Sequence, residues 1–447
     1  MNGCKCNVKG TVSYLFCLIL TVFLQSWFCL TANAAGSANA KTSNSSISSN
    51  PAAINISTGS GVVQRFVEKK LGIKNDHGIS VGGAWVGDIN QLFSGGIPHP
   101  DRTTNNSLLI LSLTVDTEKF NGWKGGLFGA QVLQLNAQKT NIAAGSVQGY
   151  NSIPGPPPLN RFELYQLWYR QAFFDEKFLL RIGKTVPTYD FGNVLKPVAL
   201  SKDSPNIPAV SGLIFTPIFI NASLLDVMPG YYNSAYGITM SFAPIKEWYL
   251  SYGIYDGNQA RNEQIGLHAT PTWNGAHFQI AETGVAWLLG TNKLPGNIGT
   301  GIWRQHGTIK GPPNITENNA FGFYLFGSQR LWYKNPGIDT SGISVFYQYG
   351  VNNSRAMPMR KYVGAGLTAF GLIAKRLGDS IGAGAAFSWL NPNSFNQSNE
   401  LILQAYYQAQ IIPNIYLEPV VSYIPSPGTN GSRNNAWAGT LRAIIVF

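Results

Sequence analysis

The chain has 447 residues and a formal net charge of +11, yet only 12% of its residues are charged, against about a quarter in ordinary soluble domains. Glycine (49) and the aromatics Phe, Tyr and Trp (24, 20 and 11) are plentiful. The basic residues are scattered, in pairs such as Lys69–Lys70 and Arg360–Lys361, with no basic helix or stripe, which argues against nucleic acid as a partner.

The first segment reads as a targeting signal. Lys5 and Lys9 precede an apolar stretch from Val12 to Leu30, broken only by Gln25 and Ser26, and Ala32-Asn33-Ala34 follows. Basic residues, an apolar run and a small-residue site are what signal peptidase acts on. Cleavage is expected after Ala34, with Ala40 as a second site; the competing reading is an uncleaved N-terminal anchor. Cys4, Cys6, Cys17 and Cys29 all lie in this segment, so the processed chain is expected to have no disulfide or thiol chemistry. Ser26-Trp27-Phe28 lacks the small residues that should precede a lipidated cysteine at Cys29. Without Lys5 and Lys9 the net charge falls from +11 to +9. Residues 35–60 are rich in Ser, Asn and Ala and are expected to be flexible. Gly61 to Leu71 reads as a short amphipathic helix, placed against the periplasmic mouth of a barrel or inside it, or else offered to a periplasmic partner.

Beyond the signal, no apolar run reaches the eighteen or so residues of a membrane helix. The recurring period is two. In one run Leu401, Leu403, Ala405, Tyr407, Ala409 and Ile411 alternate with Ile402, Gln404, Tyr406, Gln408 and Gln410. Aromatic residues bracket the apolar face of such runs, as at the two interfaces of a membrane barrel. Strands are predicted near 78–91, 107–117, 125–136, 161–174, 177–187, 231–243, 247–256, 277–289, 297–306, 320–332, 341–351, 361–374, 379–390, 400–411, 415–424 and 436–447. The even total, about sixteen, suits a transmembrane antiparallel β-barrel spanning residues 61–447. Links after even strands are mostly short, such as Pro244-Ile245-Lys246 and Ile412-Pro413-Asn414. Links after odd strands are mostly longer: 92–106, 137–160, 188–230, 257–276 and 307–319. Short periplasmic turns and long external loops alternate in this way in outer-membrane barrels. The longest link, 188–230, holds five prolines and the apolar piece Val210 to Ile220, which is ill suited to water.

Alternation directs Asp116, Arg181, Glu282, Gln404, Tyr406, Gln408, Glu418 and Arg442 inward, with Arg170, Gln166 and Trp168 beside them. A mid-membrane charge facing lipid costs about 2–4 kcal/mol, so the lumen is the physical default.

Four stretches together resemble the carbohydrate-selective outer-membrane porins, the OprB family. They are Gly122-Trp123-Lys124-Gly125-Gly126; Arg161 to Gly192, with Gly183-Lys184 and Asp190-Phe191; Pro229 to Asn258, with Trp248-Tyr249-Leu250; and Asn399 to Phe447, with Glu418-Pro419-Val420. The last departs from the family's usual pattern by one acid, which puts one lumen group in doubt. The resemblance implies passive, substrate-selective diffusion of monosaccharides such as glucose. It also implies that loop 188–230 folds into the lumen, the other reading being an external cap or subunit contact. Substrate-facing candidates are Asp116, Arg170, Arg181, Glu282, Gln404, Tyr406, Glu418 and Arg442, and Asp190, Lys196, Lys202 and Asp203 if the loop enters.

An enzyme is disfavoured: His77, His99, His268, His277 and His306 show no metal spacing, and no Gly-x-Ser-x-Gly elbow occurs. No cofactor or metal is expected. The rival function is a general or anion-preferring diffusion porin, because +9 would bias a lumen toward anions. An adhesin would need a passenger domain for which 447 residues leave no room. The expected setting is the outer membrane, with lipid and lipopolysaccharide around the barrel, a homo-trimer as one assembly, small sugars as solutes, and Phe447 as the aromatic terminus read by the barrel-assembly machinery.

Overall fold

The computed structural model describes residues 78–120, 122–155, 157–192, 194, 212–229, 232–257, 275–311, 314–432 and 435–447. The expected signal, flexible segment and amphipathic helix lie outside these, as do Lys196, Lys202 and Asp203.

Sixteen strands form among the described residues: β1 (Ile79–Ser94), β2 (Thr103–Asp116), β3 (Gly126–Asn136), β4 (Asn160–Phe173), β5 (Phe178–Thr185), β6 (Ala235–Ile245), β7 (Trp248–Asp256), β8 (His277–Leu289), β9 (Leu294–Gly311), β10 (Ile315–Tyr333), β11 (Gly342–Asn352), β12 (Met359–Phe370), β13 (Ser380–Leu390), β14 (Asn399–Ile412), β15 (Ile415–Ile424) and β16 (Ala436–Val446). Each pairs antiparallel with its sequence neighbours, and β16 pairs with β1 to close the barrel. No described helix is long and apolar enough to cross a membrane. Closure matters more than length here. Every strand has two partners, so no row of unpaired N–H and C=O groups meets hydrocarbon.

The two faces differ as the period of two requires. On β14, Leu403 and Ala405 are exposed on the outside, while Ile402, Gln404, Tyr406 and Gln408 are buried within. Exposed apolar side chains such as Ile89, Leu250, Ile302, Val363 and Leu441 continue this outer face around the wall. Outward aromatics gather at both ends. Phe128, Tyr169, Phe242 and Trp248 lie toward the short-turn end; Phe162, Phe321, Trp389 and Trp437 lie toward the other. The stacked Tyr423–Trp437 pair, with centroids 4.3 Å apart, belongs to the second belt.

One irregularity resets the alternation. In β4 the register with β3 runs Gln131↔Gln166 and then Val132↔Leu164, leaving Tyr165 as an extra residue. Such a bulge flips the phase of a strand. Arg161 and Glu163 therefore share the inner face with Gln166, Trp168 and Arg170, although a strict period of two would put the two groups on opposite faces.

The loops follow the expected alternation with one correction. Links 137–159, 186–234 and 257–276 follow odd strands, whereas 246–247 and 413–414 follow even ones. The expected long link at 307–319 does not exist. β9 runs on to Gly311 and β10 begins at Ile315, so a tight hairpin replaces the loop. Its strands pair through Lys310↔Thr316 and Ile309↔Glu317. A bulge between Glu317 and Asn319 hides the continuity by breaking the two-residue repeat there.

Candidate functional site

Two loops lie inside the barrel. The described part of the longest link, 212–229, rests on the inner faces of β11 to β14. Gln404 Oε1 on β14 accepts from the backbone N–H of Ile214 (2.5 Å) and Phe215 (3.2 Å). Asn221 Nδ2 donates to the Tyr349 carbonyl (3.0 Å), and Asn352 Nδ2 donates to the Ser223 carbonyl (2.8 Å). Gly212, at φ +82, passes so close to the Tyr406 ring that a Cβ would fall 2.0 Å from it. The apolar run foreseen as unsuited to water is thus buried: Leu213, Ile214, Phe215, Ile218 and Ile220 pack inside.

The second inner loop, 137–159, was not foreseen as such. Glu400 on β14 accepts from Ser146 Oγ, Val147 N and Gln148 N at 2.9 Å each, and from Gly428 N at 2.7 Å. Gln404 Nε2 donates to the Tyr150 carbonyl (3.0 Å), and Asn151 Nδ2 donates to Asp88 Oδ2 (2.7 Å) and Asn90 Oδ1 (2.8 Å). Burial, with the nearby Asp88 carboxylate, raises the Tyr150 hydroxyl well above its usual range, so it stays a neutral phenol. The two loops join where Thr216 N donates to the Gly149 carbonyl (2.8 Å). The signal available in the sequence was the run Gln148-Gly149-Tyr150-Asn151-Ser152, rich in amide and hydroxyl groups that can satisfy a buried backbone.

The candidate residues divide by what they touch. Arg442 Nε and Nη2 grip Asp88 Oδ1 and Oδ2 at 2.8 and 2.7 Å, a bidentate pair across the β1–β16 seam. Glu418, opposite Arg442 on β15, accepts from Gln408 Nε2 at 2.6 Å. Glu282 accepts from Tyr249 and Tyr324 hydroxyls at 2.6 Å each and from the backbone N–H of Gly192 at 2.5 Å. It therefore holds the start of the long loop to β8. Tyr406 hydroxyl donates to Thr368 Oγ1 (3.2 Å). Asp116 Oδ1 accepts from Glu118 N (3.0 Å) at the β2–β3 turn.

A second group stands on β4 and β5. Arg170 and Arg181 are cross-strand neighbours on the inner face. The Arg181 guanidinium lies 5.6 Å from the Trp168 ring centroid and pairs with Asp190 at the start of the long loop. Burial also raises the hydroxyl of neighbouring Tyr189. Two cations, a carboxylate and an indole face are gathered here on one stretch of wall. By contrast, Gln404, Tyr406, Glu282 and Glu418 have loop or wall groups against them.

Asp88, Glu400, Arg161 and Glu163 were missed. Asp88 and Asn90 share a face with Ala84 and Val86, so strand parity alone could have found Asp88. Arg161 Nε lies 3.1 Å from Glu163 Oε1, and Arg161 Nη1 donates to the Pro158 carbonyl at 2.9 Å; both acid and base were hidden by the Tyr165 bulge. Among the described residues no group of His, Cys, Asp and Glu has a metal-binding arrangement.

The family model described as carbohydrate-selective porin, OprB family, matches residues 103–447. No curated protein matches the chain. Among solved structures, the chain is similar to Pseudomonas putida OprB at high pH, with 16% identity over 87% of this chain and 97% of that one and a TM-score of 0.71. It is also similar to the same protein at low pH, with 14% identity, 86% and 96% coverage and a TM-score of 0.54. At these identities the likeness is one of fold. Fold and family indicate a channel in the outer membrane. With its family model matched across 103–447 and its strands closed into a sixteen-stranded barrel, the chain belongs to the carbohydrate-selective porin, OprB family.

Proposed function

We propose that the barrel passes monosaccharides such as glucose by passive, selective diffusion. The observation that carries this reading is the group Trp168, Arg170, Arg181 and Asp190 on the inner wall beside the inward loop. A neutral sugar that sheds water at a narrow point needs two things: donors and acceptors for its hydroxyls, and a ring face for its C–H surface. Guanidinium, carboxylate and indole supply both. Each contact is weak, so a bound sugar can leave, which conduction requires.

The expected processing is removal of residues 1–34, leaving 35–60 as a flexible lead into the barrel. Lipid and lipopolysaccharide surround the outer wall, Phe447 addresses the chain to the assembly machinery, and a homo-trimer is the assembly to test. The residues assigned to sugar are Arg170, Arg181 and Asp190, with Asp116, Lys196, Lys202 and Asp203 as further candidates. Glu282, Gln404, Tyr406, Glu418 and Arg442 act through the loops and wall they brace.

The neighbouring Arg170 and Arg181 favour the second reading, an anion-preferring pore. Liposome swelling with glucose, a disaccharide and an amino acid, alongside chloride-to-potassium permeability in planar bilayers, separates the two. Glucose entering several-fold faster than solutes of equal size supports the sugar reading. Equal entry with chloride dominant would remove it.

A further inference from the structure

An open groove of about 590 Å³ runs along the outer wall of β7 to β11, bordered by Tyr252, Gln279, Ile302, Arg304, Phe323 and Asn353. Its origin is local. Ala281 sits between Tyr252 on β7 and Ile302 on β9, so a methyl group lies between two large side chains. Ile302 and Phe321 remain 63% and 60% exposed on its rim.

The groove is mainly apolar, with polar groups gathered at one end. Toward the side of Ala281, Ile302, Phe323 and Val351 it is apolar. Toward the end where the long links emerge it becomes polar and basic. Arg304 is exposed and reaches only Asn319 Oδ1, at 3.3 Å. Lys361, exposed and paired with Val351, flanks the groove one strand past its edge, three strands from Arg304. Among the described residues neither cation has an acidic partner. Asn319 and Asn353 engage their Oδ1 atoms within the protein, through His306 and Phe321 N, which leaves their amide N–H groups to donate to an outside acceptor. Unpaired cations on a membrane-facing wall are unfavourable unless an anion meets them.

We propose that this groove binds a diphosphorylated, acylated glycolipid of the outer leaflet, with an acyl chain over Ala281, one phosphate at Arg304 and the other at Lys361. The amides of Gln279, Asn319 and Asn353 then meet sugar hydroxyls. The assignment rests on the outer-membrane placement above, with the long links outside, and not on any property of the lumen.

The test is native mass spectrometry of the full barrel with three probes: diphosphorylated lipid A, its dephosphorylated form and phosphatidylglycerol. Expected is at least tenfold more bound diphosphorylated lipid A than either other probe. The pair Arg304→Gln with Lys361→Gln removes the charges, and Ala281→Phe fills the groove without touching them; each is expected to lower lipid A binding about tenfold. Equal binding of the dephosphorylated form by the unaltered protein, which needs no variant, overturns the phosphate contact. Equal binding of phosphatidylglycerol overturns the glycolipid assignment. Unchanged lipid binding with altered sedimentation of the variants overturns it in favour of an interface between copies. Glucose swelling is expected to be the same for all forms. Failure of swelling in the unaltered protein would count against the sugar channel and leave the lipid result standing.

Discussion

At the scale of single residues, the lumen is organised by carboxylates that hold backbone. Glu282 collects two phenols and the Gly192 N–H; Glu400 collects three backbone N–H groups and a hydroxyl; Asp88 collects Arg442 and Asn151. Each places one charge where several donors converge, the arrangement that makes burial of an anion tolerable. The Asp88–Arg442 pair is the most exacting. Arg442 is 1% exposed, and its two bonds to Asp88 lie at the seam that closes the barrel. Asp88→Asn removes the counter-charge and leaves a buried guanidinium, a change that costs about 3–5 kcal/mol where it has been measured for buried pairs. The expected result is a lower unfolding midpoint in guanidinium, read on the purified barrel. Combining it with R442Q removes the stranded charge, so the double variant is expected to recover part of the loss. A single variant as stable as the parent would show that Glu418, across from Arg442, suffices alone.

At the scale of elements, the strands were legible and their interruptions were not. A barrel strand must present apolar groups every second residue to lipid, and this requirement marks β14, β15 and β16 with little error at either end. Bulges escape such reading because an extra residue exchanges the faces without changing composition. Arg-Phe-Glu-Leu-Tyr-Gln-Leu-Trp-Tyr-Arg, residues 161–170, alternates in both halves, and only the pairing with β3 shows that the halves are out of step at Tyr165. The same cause hid the β9–β10 hairpin. Loops within the lumen were half legible: an apolar stretch in a long link betrays burial, whereas the polar 137–159 segment carries its own hydrogen-bonding groups and looks like any surface loop. The bulge offers a direct test. Deleting Tyr165 restores a strict period of two and turns either Arg161 and Glu163 or Gln166 and Arg170 toward lipid. An outward Arg costs up to about 2–4 kcal/mol, less near the interfaces. Heat-modifiable, assembled barrel is expected to fall several-fold. Tyr165→Ala, which keeps the residue count, is expected to assemble far better. Similar yields from both would mean that the ring, and not the phase, is what β4 needs.

At the scale of the whole molecule, sixteen strands become a barrel only through the last contact made. β1 and β16 are the ends of the strand order, and their union is the one pairing that no hairpin supplies. Phe447 completes it. Its N–H donates to the Gly83 carbonyl at 3.0 Å and its carbonyl accepts from Gly83 N at 2.8 Å. Its ring crosses the space above Gly83, where a Cβ would fall 2.6 Å from the ring, so a glycine is required opposite the terminal aromatic. The residue continues the outward series of Leu441, Ala443 and Ile445, yet it is buried, at 7% exposure, and lines no part of the lumen. Assembly and permeation therefore separate at this position. Deleting Phe447 removes the two backbone hydrogen bonds that fasten the seam at its short-turn end, and it also removes the aromatic terminus proposed as the assembly address. Outer-membrane levels are expected to drop several-fold, while single-channel conductance of the molecules that do insert stays at the parent value. Phe447→Tyr keeps both the backbone pair and the ring, so its levels are expected to approach those of the parent. Normal levels of the deletion would refute a role for Phe447 in insertion, and altered conductance would mean that closure of the seam shapes the pore itself.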